Sequence, residues 1–209
     1  MKRGLLGLAI MAAMLAAAPD QAGAQQTIID TWPDIKAPPA PALKPVTVDP
    51  ATTALLMLDF VKQACERRPR CVASLPVAKQ LLAEARAKNM LVVYSFVSGG
   101  TMADTMPEVA PVGKEPAVQS GPDKFVGTDL EKILREHGIK TVIVAGTAAN
   151  GAVLHTSDEA VFHGFSAIVP VDTMSADSPF IEEYVAYDLT VAPRVATATT
   201  LTRVGLIKF

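Results

Sequence analysis

The segment from Lys140 to Asp172 constrains the fold more than any other part of the chain. It contains two short apolar runs, Thr141–Ala145 and Ala167–Val171, joined by a turn at Gly146–Gly151 and a helical stretch ending near Gly164. Continuous β-branched runs are typical of strands covered on both faces, and a parallel pair needs a helical crossover. The pattern predicts a βαβ unit. Its GTAANGA turn is the first place to expect a ligand, because ligands bind where parallel strands end.

The first 24 residues have the pattern of a secretory signal peptide. Lys2 and Arg3 precede an apolar stretch, and Ala22-Gly23-Ala24 offers a small-residue cleavage site before Gln25. We therefore expect a periplasmic or secreted protein with no membrane association after cleavage. Residues 25–50 are rich in proline, which predicts an extended segment, and residues 51–209 have the length of one domain.

Charge and motif content argue against several classes of function. The formal net charge is −2 and no basic stripe emerges, which disfavours nucleic acid as a partner. Gly146 and Gly151 have the spacing of a phosphate loop, but Ala152-Val153 follows where Lys-Ser/Thr would be needed, and no GxGxxG is present. No His or Cys set has zinc-like spacing. We expect neither a cofactor nor a metal.

The chain has two cysteines, Cys65 and Cys71, in the sequence CERRPRC. In an exported protein such a pair is compatible with a disulfide, and the alternative is two thiols, one of them a nucleophile. The loop between them carries Arg67, Arg68 and Arg70. These arginines are either a solvated charge cluster or a site that binds a carboxylate of the substrate, for which a guanidinium is well suited.

An acidic residue, Asp59, ends the first predicted core strand, Thr53–Phe60. Burying a carboxylate without partners is costly, so packing does not explain its position. It is either a cap of a helix or turn, or a functional carboxylate.

The remaining elements follow from periodicity and from turn residues. The long, aperiodic segment 98–127 is interpreted as the wall and lid of a pocket, because such segments inside a domain are usually functional. The other predicted elements are a helix at Ser74–Asn89, a strand at Leu91–Val97, a helix with a Thr128–Glu131 capping box that ends at Gly138, a helix capped by Ser178, and an edge strand at Arg194–Thr202.

Three motifs in order, LLMLDF, FVGTDLEKIL and VIVAGTAANGAVLHTSDEA, resemble those of the isochorismatase-like family, a superfamily of cysteine hydrolases. The resemblance covers residues 53–202. It implies a Rossmann-like three-layer α/β/α fold with a central, mostly parallel sheet of about six strands. It also implies a small-molecule substrate and a homo-oligomer.

The resemblance implies three catalytic positions, and at two of them this chain has a different residue from the one the family usually has. Asp59 matches the family Asp, Gln119, six residues before Phe125, stands where we expect the family Lys, and Ala152 falls at the position of the family Cys. Lys114 or Lys124, both on the proposed lid, could take the role of that Lys instead, although the spacing does not place them there. Without that thiol the thioester route is closed at residue 152. Isochorismatases of this family are similar in having a small residue there, and they cleave a vinyl ether by acid catalysis. Asp59 could act in this way if burial raises its pKa.

Further binding residues are expected around the turn and the lid. Backbone amides at Ala148, Ala149, Asn150 and Gly151 could bind a carboxylate or oxyanion, or Asn150 could simply cap the helix. The resemblance also implies a non-proline cis peptide, at Ala148–Ala149 by position. The remaining candidates, each of which core packing or surface exposure could also explain, are Phe96, Lys124, Phe125 and His155.

Two hypotheses follow from the sequence. The first is an exported hydrolase that acts without a cysteine on a small carboxylate-bearing amide or enol ether, with Asp59 as general acid or base. The second is a catalytically silent binding or scaffold protein that keeps the fold and the pocket.

Overall fold

A computed structural model describes residues 26–209 of the chain. The predicted signal peptide lies outside the described residues. The chain divides into two units, residues 1–38 and residues 39–209. The described part of the first unit contains one helical turn, Ile28–Thr31, and one 3₁₀ turn, Trp32–Asp34.

The second unit alternates strands and helices in the order expected of an α/β fold. Its strands are β1 Val46–Thr47, β2 Thr53–Leu58, β3 Leu91–Phe96, β4 Ala117–Gln119, β5 Thr141–Thr147, β6 Ser166–Pro170, β7 Met174–Ser175, β8 Thr199–Thr202 and β9 Ile207–Lys208. With Ile28–Thr31 as α1, its helices are α2 Lys62–Cys65, α3 Pro69–Ala87, α4 Leu130–Glu136, α5 Leu154–Phe162, α6 Pro179–Val191 and α7 Val195–Ala198.

Seven strands form one parallel sheet, which confirms the predicted fold class with one strand more than expected. The order is β4-β3-β2-β5-β6-β8, and β7 pairs with the end of β5. The predicted βαβ unit is β5, α5 and β6. Because every strand runs the same way, all their carboxyl ends meet at one edge of the sheet, where the site is expected.

Both faces of the sheet are covered, as the continuous apolar strands predict. Side chains of β2 alternate: Ala54, Leu56 and Leu58 pack in one core with α4, α5 and α6, while Leu55 and Met57 pack in another with α3. The result is a three-layer α/β/α arrangement. None of the described helices is long and apolar enough to cross a membrane.

Local details differ from the sequence-based prediction at three places. Helix α3 begins at Pro69, five residues before the predicted start, because proline suits the first turn of a helix. The predicted edge strand at 194–202 is divided into α7 and the edge strand β8. The predicted capping box at Thr128 is wrong: Asp129 is the N-cap of α4, and the Thr128 hydroxyl accepts from the Leu130 amide and donates to the Lys124 carbonyl.

Gly146 permits the close approach of the two central strands. It lies opposite Leu58, and a Cβ built on it would lie 2.6 Å from the Leu58 Cβ and overlap the Leu58 carbonyl. We expect Gly146→Ala to lower the free energy of unfolding by about 3 kcal/mol, since an overpacked sheet centre cannot relax. Urea unfolding checks this. Gly205→Ala, where the added methyl meets open space, is the matched control. Equal effects of the two substitutions would contradict this account of Gly146.

A half-buried carboxyl on α5 makes stability depend on pH. Burial and the nearby Asp188 raise the pKa of Asp158 from 3.8 to about 6, the Glu159 charge adds to the rise, and His155 opposes it. The Asp158 Oδ1 atom is buried without a hydrogen-bond partner among the described residues. The folded protein therefore binds this proton more tightly than the unfolded chain, so ionising Asp158 costs stability as the pH rises from about 4 to 6.

Asp158→Asn removes that cost. We expect the variant to be as stable as the wild type below pH 4 and more stable by about 1 kcal/mol above pH 6.5, after discounting the shift for solvent screening. Urea unfolding across this pH range measures the difference. A stability difference that does not change with pH would show that the Asp158 charge is not its cause.

Candidate active site

Asp59 lies at the carboxyl end of β2 in a conformation that other residues rarely adopt. Its φ is 54°, in the left-handed region, and its side chain is buried with 5% of the residue exposed. A non-glycine residue in this region costs energy, and such residues concentrate at functional sites. This position favours a functional carboxylate over the helix-cap alternative.

The Asp59 carboxylate is held by two side chains. Lys124 Nζ lies 2.7 Å from Oδ2, and Ser95 Oγ, from the neighbouring strand β3, donates to Oδ1 at 2.8 Å. Lys124 is completely buried, and its ammonium also donates to the carbonyl of Gly121 at 2.7 Å. The two charges are thus paired and hydrogen-bonded, as buried charges must be.

Burial raises the pKa of Asp59, and the Lys124 ammonium and the Ser95 hydroxyl oppose that rise. The carboxyl therefore holds its proton more tightly than an exposed aspartate. Such a group can exchange a proton with a substrate or with water nearer neutral pH than an ordinary aspartate.

The prediction that Gln119 lies beside Asp59 is wrong. Gln119 ends β4, and its amide Nε2 donates to the Gly100 carbonyl at 2.8 Å. Lys124 lies beside Asp59 instead, and it is buried and not at the surface. The sequence signal was present, because Lys124 directly precedes the FVGTDL motif, but counting six residues back from Phe125 passed over it.

The turn after β5 carries Ala152 into the site. The cis peptide bond joins Thr147 and Ala148, one residue earlier than expected, and residues 149–153 form a single π-helical turn before α5. The Ala148 carbonyl accepts from the amides of Gly151 and Val153. Those two amides are therefore engaged within the turn.

A cavity of about 510 Å³ opens over Asp59 and this turn. It is lined by Asp59, Gln63, Ala64, Arg67, Arg68, Val97, Ser98, Ser120, Gly121, Pro122, Thr147, Ala148, Gly151, Ala152 and Asp177. Part of the predicted lid, from Ser120 to Pro122, forms one wall. Among the predicted site residues, Asp59, Ala148, Gly151 and Ala152 line this cavity, and Lys124 joins them through its contact with Asp59.

Other predicted binding residues lie outside the cavity. Phe96 and Ala149 are buried in the two cores, and Phe125 stacks on the ring of His163 with centroids 4.9 Å apart. His155 and Asn150 are exposed at the protein surface. His155 is therefore neither packed in the core nor directed into the cavity. Spacing could not assign these five residues, because the period of a helix or strand says which residues share a face but not which face lines a cavity, and Phe125 lies in a loop with no period.

The cysteine loop forms another part of the wall. Cys65 and Cys71 are joined by a disulfide, which fits the predicted pairing, and both are buried. Arg67 and Arg68 line the cavity, whereas Arg70 pairs with Glu182 outside it. In the described part of the chain, no group of three or more His, Cys, Asp or Glu side chains could hold a metal ion.

Comparisons with known proteins agree with this fold. A family model described as Isochorismatase domain matches residues 53–202. N-carbamoylsarcosine amidase of Arthrobacter sp. is 34% identical over 82 residues, which is 39% of this chain and 31% of that relative. Maleamate amidohydrolase of Pseudomonas putida is 30% identical over 146 residues, covering 56% of this chain and 68% of the relative.

A solved structure shows the same architecture. The N-carbamoylsarcosine amidase of Thermoplasma acidophilum superposes with a TM-score of 0.62 at 24% identity, over 73% of this chain and 96% of that one. The family match covers most of the second unit, and it shows that the chain belongs to the isochorismatase family.

Proposed function

We propose that this protein is an exported hydrolase that cleaves a small carboxylate-bearing amide or enol ether without a cysteine nucleophile. The observation that carries the proposal is the buried Asp59–Lys124 pair, whose carboxylate faces the same cavity as Ala152. Export is proposed from residues 1–24 alone.

The sulfur atoms of the chain do not offer a nucleophile. Its only two cysteines are joined in a disulfide, and a disulfide sulfur is not a thiolate. Ala152, at the position where the family resemblance expects a cysteine, ends in a methyl group. Water is therefore the attacking group in the proposed reaction.

For an amide, Asp59 acts first as a base. Water attacks the carbonyl carbon while Asp59 takes one of its protons, and the proton then passes to the leaving nitrogen as the C–N bond breaks. One amide and one water give one carboxylic acid and one amine or ammonia. The Lys124 ammonium, 2.7 Å from Oδ2, stabilises Asp59 in its charged form and favours the return of the proton.

For an enol ether, Asp59 acts first as an acid. It gives its proton to the alkene carbon, water adds to the resulting cation, and the hemiketal breaks into an alcohol and a carbonyl compound while Asp59 regains a proton. The raised pKa of Asp59 favours this role.

The amide class has the further support of the relatives. Two of them are named for maleamate and for N-carbamoylsarcosine. Each of these compounds combines an amide-type group with a carboxylate. The cavity of this protein places Arg67 and Arg68 within the same space as Asp59, which suits a substrate of that kind.

A silent binding protein is the second candidate, and Ala152 favours it. An assay separates the two: the purified mature chain is incubated with maleamate, N-carbamoylsarcosine and a carboxyvinyl ether, and products are followed by chromatography. Turnover of one compound above the buffer blank supports the hydrolase. Binding of these compounds without turnover would favour the silent protein and overturn the proposed reaction.

A further inference from the structure

Arg68 is held rigidly at the wall of the cavity. It follows the disulfide residue Cys65 and directly precedes α3, and only 22% of its side chain is exposed. Its Nε donates to Asp177 at 2.6 Å, and its Nη1 donates to Thr147 Oγ1 at 3.1 Å and to the Ala64 carbonyl at 3.4 Å. Three chain segments therefore fix the plane of this guanidinium.

One nitrogen of the Arg68 guanidinium makes no hydrogen bond with the described residues. A guanidinium has five N–H donors, one on Nε and two on each Nη. Nε and Nη1 are engaged, whereas Nη2 has no hydrogen-bond partner among residues 26–209. Because Arg68 lines the same cavity as Asp59 and Ala152, this nitrogen is available to a bound molecule.

We propose that Arg68 is the carboxylate anchor of the cavity, with Nη2 as its ligand-binding nitrogen. The inference rests on the proposed function, because it names the part of the substrate that this wall holds. A guanidinium already fixed by Thr147 and Ala64 loses little freedom when a ligand binds. Arg67 also lines the cavity, but it is exposed and makes no hydrogen bond or ion pair with the described residues, so it is less well organised for binding.

Asp177 competes with the ligand for this anchor. Nε and Nη2 form one edge of the guanidinium, the edge that a carboxylate prefers to bind with both oxygens. Asp177 already occupies the Nε end of that edge, and its side chain is largely exposed. A substrate carboxylate therefore binds Nη2 beside Asp177 or displaces it.

The test compares two probes that differ only in charge. Succinamate carries an amide and a carboxylate, and succinamide carries two amides. Their dissociation constants are measured by ¹⁵N chemical-shift titration of the oxidised, mature chain, which requires no turnover. We expect the wild type to bind succinamate about tenfold more tightly than succinamide, as one charge-assisted contact would give.

The variants locate the source of that preference. Arg68→Gln should reduce the preference for succinamate below about twofold while leaving succinamide binding unchanged. Arg68→Lys should keep a preference of about threefold, because lysine retains the positive charge but lacks the paired N–H donors of the guanidinium. Asp177→Asn should tighten succinamate binding about threefold by removing the competing carboxylate. Lys79→Gln, the same change of charge on the exposed side of α3, is the matched control and should change nothing.

Three results would overturn the inference: a wild type that does not distinguish the probes, an Arg68→Gln variant that keeps the preference, or a preference lost in Arg67→Gln instead. If Arg68→Gln fails to fold, Arg68→Lys and Asp177→Asn decide the question. Failure of the proposed reaction can be distinguished from failure of this inference. A protein that hydrolyses none of the tested compounds can still bind succinamate more tightly than succinamide.

Discussion

Asp59→Asn is expected to lower kcat by about 10³-fold on whichever substrate the wild type hydrolyses, with a much smaller change in KM. Asparagine has the shape of aspartate, so the contact with Ser95 can persist, but it can neither take a proton from water nor give one to an alkene. Steady-state kinetics at saturating substrate measures the loss.

A matched control is available in Asp172. This carboxylate also lies past a strand end and has a raised pKa, but it accepts from the Val204 amide and lies outside the cavity around Asp59. Asp172→Asn should leave kcat within about twofold of the wild type, as expected for a group that does not touch the reacting atoms. An Asp59→Asn variant that retains more than a tenth of the wild-type rate would refute Asp59 as the proton carrier.

The same substitution also tests the buried ion pair. Removing one partner leaves the Lys124 ammonium buried without a counter-ion, which typically costs about 3–5 kcal/mol. The double variant Asp59→Asn, Lys124→Met should recover part of that loss, because it removes both charges. Urea unfolding of the wild type, the two single variants and the double variant completes a double-mutant cycle. The same measurement shows whether the Asp59→Asn protein is folded under the conditions of the kinetic assay.

Ala152→Cys is expected to create an amidase that works through a covalent intermediate. The new thiol would stand in the π-helical turn before α5, within the cavity that Asp59 also lines. The positive end of the α5 dipole favours the thiolate, so its pKa should lie below the ordinary value of about 8.5. We expect amide turnover to rise about 100-fold or more over the wild type, since a thiolate replaces water as the nucleophile.

Intact-mass measurement provides the direct check. At neutral pH, iodoacetamide should label Ala152→Cys once and the wild type not at all, because both native cysteines are joined. An acyl adduct should accumulate when the amide substrate is added. Ala152→Ser, of similar size and weaker nucleophilicity, is the control, and adding Asp59→Asn to Ala152→Cys should abolish the gain. A labelled thiol without faster turnover would mean that residue 152 does not face the scissile bond.

The sequence by itself determined the layers of the fold. Continuous β-branched runs such as Thr141–Ala145 can be stable only with both faces covered, and the helix between two of them requires a parallel crossover, so the α/β fold followed from local patterning. Asp59 could be recognised for a similar reason, because a carboxylate at the end of a buried strand needs partners. The number of cysteines and the expected compartment favoured the pairing of Cys65 with Cys71, and the structure decided it against two free thiols.

Only the tertiary structure decided which side chains meet Asp59. Lys124 comes from a segment without periodicity, so nothing in its neighbours indicates where its side chain points, and counting from Phe125 selected Gln119 instead. His155 lies on a helix, where a shift of one residue moves a side chain from pocket to surface, and Phe125 lies in a loop, where no period indicates the direction of a side chain. Arg68 acquires its partners Thr147 and Asp177 from positions 79 and 109 residues away in the chain, and contacts at that separation exist only once the sheet has brought the strand ends together.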